Sequence, residues 1–202
     1  MAQTVSGYWD AQARRYDRAT LLLCRDFDAM AAAIAARVAD CERVLEVAAG
    51  TGLVTRAAAP GVQRYLATDA SEAMLEILKG RLGDLPGLQV GVADAMALDG
   101  PDDQFDAVLA CNLLHLLPDP VGCLKELRRV LAPGGRLLTP TFCHGEGTVA
   151  RVVSGILGLS GFPIHTRFSG EELDELVTSA GFTITEARWF QGLLPIRYVE
   201  AR

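Results

Sequence analysis

From residue 43 onward the chain alternates short apolar runs with segments whose apolar positions recur every three or four residues. That alternation predicts βαβ units and an α/β fold with a mostly parallel, doubly wound sheet. Candidate strands cover 43–47, 64–68, 88–92, 105–111 and 136–142, each closed by a turn or cap signal. Being mostly apolar on both faces, they suit burial between helix layers. A helix is expected over 119–131, with Asp119 as N-cap, Pro120 at N1, and Val121, Leu124, Leu127 and Leu131 on one face. Ser169 and Glu172 form a capping signal for a helix to about Ala180, closed by Gly181. Two β-like runs, 183–190 and 193–199, flank Gln191-Gly192 and predict an antiparallel hairpin at the sheet edge. Ahead of the first strand, residues 1–40 have helical character, with Trp9, Tyr16, Leu21 to Leu23, Phe27, Met30 and Ile34 apolar. They form either a cap over a ligand or a layer packed on the sheet.

The 202 residues are half hydrophobic, enough for a single domain with its own core. Apolar runs stay well short of the 18 or so residues of a membrane span, and Met1-Ala2-Gln3-Thr4 carries no signal-peptide pattern. Five cysteines without a Cys-x-x-Cys pair argue against disulfides and zinc, and for the cytoplasm. A formal charge of −6 without a basic stripe argues against a nucleic-acid partner. No metal site is expected.

The first strand runs into Gly50-Thr51-Gly52, a turn in which bare backbone can approach a ligand, and the next helix is expected to start near Leu53. Thr55 stands where a dinucleotide fingerprint needs its third glycine. Glu46, inside a buried strand, needs a partner: an ammonium or cationic ligand, or the N–H groups of the loop. Asp69 and Asp94 end the next two strands and should share one crevice. Asp69 suits two ribose hydroxyls and Asp94 the amine of adenine, although either could instead cap the helix after it.

Val-Leu-Glu-Val-Ala-Ala-Gly-Thr-Gly, Ala-Thr-Asp-Ala-Ser-Glu-Ala-Met-Leu, Val-Ala-Asp-Ala, Phe-Asp-Ala-Val-Leu-Ala-Cys-Asn-Leu-Leu-His and Leu-Arg-Arg-Val-Leu-Ala-Pro-Gly-Gly-Arg-Leu resemble, in order, the motifs of class I S-adenosylmethionine-dependent methyltransferases. Within these, the chain is similar to the small bacterial type 11 group related to quinone-biosynthesis enzymes. The resemblance implies a Rossmann-like sheet of order 3-2-1-4-5-7-6 and the cofactor S-adenosylmethionine, converted to S-adenosylhomocysteine. It places Glu46, Ala48, Gly50, Thr51 and Gly52 around the methionine part, Asp69 at the ribose, and Ala70, Asp94, Ala95 and Met96 around adenine. Cys111 and Asn112 would face the cofactor from the fourth strand. The family often has glycine and a small residue where this chain has Ala48 and Ala49.

Methyl transfer from a sulfonium is an in-line displacement in which alignment does most of the work, so a base is needed only where the acceptor must lose a proton. His144 and His115 follow strand ends on the crevice side and are the candidates to act as base or hold the acceptor. Tyr8, Trp9 and Tyr16 suit a cation or simple core packing, and the apolar segment 152–159, within an acceptor-side insertion at about 145–168, suggests a small lipophilic acceptor, a partner surface or ordinary packing. A nicotinamide-dependent oxidoreductase and a non-catalytic S-adenosylmethionine-binding module are the alternatives. The acceptor's identity and the oligomeric state are not legible.

Overall fold

Successive residues of a strand point to opposite faces, and in β1 (Arg43–Val47) this sends Val44 into one hydrophobic cluster and Leu45 and Val47 into another. The computed structural model describes residues 5–159 and 161–202, so Met1-Ala2-Gln3-Thr4 lies outside it. β2 (Arg64–Asp69) and β3 (Leu88–Val92) pair parallel on one side of β1, and β4 (Phe105–Ala110) and β5 (Leu131–Leu138) on the other. Antiparallel strands close the sheet: β8 (Ile196–Ala201) lies beside β5, and β7 (Ile184–Phe190) beside β8.

The run 136–142 is two strands rather than one. β5 ends at Leu138, and a two-residue β6 (Thr141–Phe142) continues along the same side of β8. Pro140 between them has no N–H for a ladder bond, and its carbonyl accepts instead from Asn112 N–H at 2.7 Å. The full order is β3-β2-β1-β4-β5-β8-β6 with β7 on β8, which contains the implied order once the hairpin strands are renumbered. The hairpin loop also runs from Gln191 to Pro195, longer than the Gln191-Gly192 turn, and its second strand reaches Ala201.

One face of the sheet is covered by α2 (Phe27–Val38), α3 (Thr55–Ala58) and α4 (Glu72–Leu82), whose Met30, Ile34, Ala58 and Leu78 meet Val44, Ala67 and Leu109. The other is covered by α5 (Pro120–Val130) and α7 (Gly170–Ser179), whose Leu124, Leu127, Leu173 and Val177 meet Leu45, Val108 and Val199. Asp119 caps α5 through a bond from Gly122 N–H at 2.9 Å, and Ser169 with Glu172 completes the capping box of α7. Leu131 begins β5 instead of ending the helix. The helix expected near Leu53 starts at Thr55 and lasts one turn.

The N-terminal segment divides between its two readings. α2 is an ordinary packed layer, while α1 (Val5–Leu23) lies across the ends of the strands. Its C-terminal end is clasped by the hairpin loop: Leu194 N–H donates to Leu23 O at 3.1 Å, and Asp26 N–H to Gln191 O at 3.1 Å. A side-chain carbon at Gly192 would stand 2.2 Å from Leu23 O. Gly192→Ala should therefore cost roughly 2 kcal/mol, a backbone collision with no side chain able to yield. Urea unfolding checks this, and an unchanged midpoint would refute the clasp.

Candidate active site

The crevice is built by turns that leave the sheet at the ends of β1, β2 and β4. Ala48 and Asn112 both take positive φ, +52° and +53°, which asparagine tolerates better than alanine does. Gly50 follows at φ +56°, and its N–H donates to Asp69 Oδ2 at 2.8 Å. The other oxygen of Asp69 accepts from Ser71 N–H at 2.9 Å. Ser71, not Asp69, caps α4.

Two cavities occupy this crevice. The larger, about 420 Å³, is walled by Ala48, Gly50, Asp69, Ala70, Asp94, Ala95, Met96, Cys111 and Asn112, nine of the twelve residues assigned to a cofactor from sequence. Asp94 stands at its rim and accepts from Met96 N–H at 2.9 Å. The other three stand behind the wall. Gly52, at φ +85°, backs onto α4, where an added carbon would meet the Leu78 side chain at 3.0 Å, so backbone angle and helix packing both favour glycine here. The Thr51 hydroxyl bonds Asp17 of α1. Glu46 is buried, and one of its oxygens accepts from the hydroxyls of Thr55 at 2.6 Å and Tyr65 at 2.8 Å. Burial raises its pKa to about 7 against the pull of those hydroxyls. Its partners within the chain are thus side-chain hydroxyls and not the loop N–H groups.

The smaller cavity, about 200 Å³, lies beyond Trp9, Tyr16, Asn112 and Leu116, which belong to both. His115 and His144 stand in its wall with ring centroids 4.9 Å apart, and both are almost fully buried. His115 sits on a single 3₁₀ turn, Leu114–Leu116, and His144 follows β6. Among the described residues, His115 Nδ1 and both ring nitrogens of His144 have no hydrogen-bond partner. Burial drives the pKa of His115 well below the usual range, with His144 adding to it. Burial, helped by Arg167, lowers His144 to about 4.

Sequence reasoning missed two sets of residues. Phe162 is nearly parallel to His115, at 9° and 6.4 Å between centroids, and meets Trp9 edge-on at 5.6 Å. Nothing local marks it, because it is brought in by the segment after α6 (Gly147–Leu159). Asp10 and Asp17 anchor α1 over the site: Asp10 bonds the Ser71 hydroxyl, and Asp17 pairs with Arg81 at 2.6 Å as well as with Thr51. Their spacing of seven, on one helix face, was the available signal. In the apolar segment 152–159, Leu157 lines the smaller cavity while Val152, Ile156 and Leu159 are exposed. Among the described residues no cluster of His, Cys, Asp or Glu is placed to hold a metal, and no helix is long and apolar enough to cross a membrane.

Residues 45–139 match the family described as a methyltransferase domain. A demethylmenaquinone methyltransferase of Clavibacter sepedonicus is 38% identical over 178 residues, covering 87% of this chain and 69% of that one. The chain belongs to the class I S-adenosylmethionine-dependent methyltransferases, in the type 11 group. This methyltransferase is also 29% identical to the 27-O-demethylrifamycin SV methyltransferase of Amycolatopsis mediterranei, over 96% of this chain and 78% of that one. In fold it matches an S-adenosylmethionine-dependent methyltransferase of Thermotoga maritima, with a TM-score of 0.75 over 96% of this chain and 98% of that one at 22% identity.

The left-handed Ala48 and the neutral histidines each generate a prediction. Ala48→Gly should stabilise the methyltransferase by about 1 kcal/mol by relieving the positive φ, measured by urea unfolding. The unfolded chain protonates His144 near pH 6.5, but the folded chain only near pH 4, so this contribution is complete above about 6.5 and lost as pH falls toward 4. Between pH 7 and pH 4, His144→Phe should therefore lose roughly 2 kcal/mol less stability than the parent. Parallel stability curves would contradict the burial of a neutral imidazole.

Proposed function

We propose that the larger cavity holds S-adenosylmethionine and the smaller one a small apolar acceptor, which the enzyme methylates. The observation that carries this reading is the junction: two cavities of unequal size meet at Trp9, Tyr16, Asn112 and Leu116. The larger has a volume in the range of ordinary small-molecule sites. The residues around it suit this cofactor. Asp69 offers its carboxylate where ribose hydroxyls can donate, Asp94 and Met96 flank the place for adenine, and the rings of Trp9 and Tyr16 attract a positively charged sulfonium. Glu46, Thr51 and Gly52 act in this reading by shaping the turn that receives the methionine part. S-adenosylmethionine supplies an electrophilic methyl group on a good leaving group, so the protein's task is to align and to dehydrate.

His144 and His115 are the groups in this reading that meet the acceptor, His144 foremost because neither of its nitrogens is satisfied. The small-molecule acceptors named for the two relatives, demethylmenaquinone and 27-O-demethylrifamycin SV, support an acceptor of that kind. Five free cysteines, four of them buried, support work in the cytoplasm. The family membership leaves no observation in favour of a nicotinamide enzyme.

Calorimetric titration with S-adenosylhomocysteine tests the cofactor assignment. Asp69→Ala should weaken binding about 30-fold or more, the loss of two hydrogen bonds to a charged group. Because Asp69 also holds Gly50, Ser71→Ala serves as a control that disturbs the same corner without removing the carboxylate. Equal affinity for parent and Asp69→Ala would reject the assignment.

A further inference from the structure

The wall of the smaller cavity has an unusual charge inventory. Among its fifteen lining residues there is no Asp, Glu, Lys or Arg, and its polar groups are hydroxyls, amides, the Trp9 indole N–H and the two imidazoles. Arg167, whose charge is felt at His144, is exposed, is not among the lining residues, and donates through Nε to the Ser154 hydroxyl at 2.8 Å. A carboxylate entering here would lose its hydration with no countercharge, and an ammonium would lose three water contacts with only neutral acceptors offered. The space, about 200 Å³, compares with the roughly 150 Å³ of an apolar cavity that accepts one benzene ring. Flat ring faces from His115 and Phe162, parallel to within 9°, favour a planar guest.

One polar group stands out in this uncharged wall. His144 is fully buried with both ring nitrogens unpartnered among the described residues, which is costly unless a ligand or a water in the cavity supplies a partner. A neutral imidazole has one lone pair to receive a donor and one N–H to give. Resting on the methyltransferase reading above, we infer that the acceptor is an uncharged, planar hydroxyl compound whose O–H donates to His144. The acceptor oxygen takes the methyl while sulfur keeps the bonding electron pair, and the hydroxyl proton passes to the lone pair of His144. The positive charge lost from sulfur thereby reappears on the imidazole. The joined cavities hold one positive charge before and after, so the low dielectric that opposes an imidazolium beside a sulfonium opposes it less once the sulfonium is gone.

The test is binding to the complex with S-adenosylhomocysteine, using para-cresol, para-toluate and para-methylbenzylammonium as probes matched in shape and differing in charge, read by ligand-observed NMR. Para-cresol should bind at least tenfold more tightly than either ion, the cost of burying an unpaired charge. His144→Phe should weaken para-cresol at least about fivefold while leaving S-adenosylhomocysteine affinity unchanged. Equal or tighter binding of an ion overturns the inference, as does an unaltered para-cresol affinity in the variant. So does a complex that binds none of the three. The charge preference of the parent protein decides the matter if the variant fails to fold. A parent that does not bind S-adenosylhomocysteine strikes the cofactor reading itself, a distinguishable failure.

Discussion

The bond from Gly50 N–H to the Asp69 carboxylate ties the turn after β1 to the end of β2, and the crevice is arranged around it. Adjacent parallel strands bring these groups side by side, but the turn reaches Asp69 only through a run of backbone in the left-handed region, Ala48, Gly50 and Gly52. Because an L side chain at positive φ costs on the order of 1 kcal/mol, the conformation at Ala48 persists only where surrounding bonds overdetermine it. Ala49 N–H to Thr68 O at 2.9 Å and the Thr68 hydroxyl to Glu46 O at 3.1 Å supply that overdetermination from the same two strands.

Beneath the turn, Glu46 shows how a buried acid is made tolerable without a countercharge. Two hydroxyls donate to one oxygen, and the remaining desolvation is relieved by holding the proton to a higher pH. Thr55 serves this purpose at the position where a dinucleotide fingerprint would have glycine. The residue that spoke against a pyrophosphate site from sequence thus has a positive function in this one, which joins the turn, the short helix α3 and β2 into a single unit.

The parts of the fold that were legible are those fixed by local periodicity and capping. Strand β3 and both helix caps follow from apolar runs and from Asp119 and Ser169 read in place. Where the reading departed, a non-local partner decided the outcome. Pro140 splits a strand because Asn112 takes its carbonyl, and α4 packs closely on Gly52, whose backbone is already left-handed. Nine of the residues named from strand ends and family motifs line the larger cavity, since topology alone brings strand ends together. Phe162 could not be named, because its place depends on how a distant segment folds back over the crevice, and the spacing of Asp10 and Asp17 marked a helix face without naming what it would meet.

Trp9 and Tyr16 form part of the partition between the two cavities, and both belong to one helix held down through Asp10 and Asp17. A partition has two sides. Any occupant that presses it into place on one side prepares the surface met by an occupant on the other, and by thermodynamic reciprocity the favour is returned in equal measure. On the proposed assignment of the two cavities, α1 is the element through which the binding of donor and acceptor would be coupled, although no atom of one need touch the other.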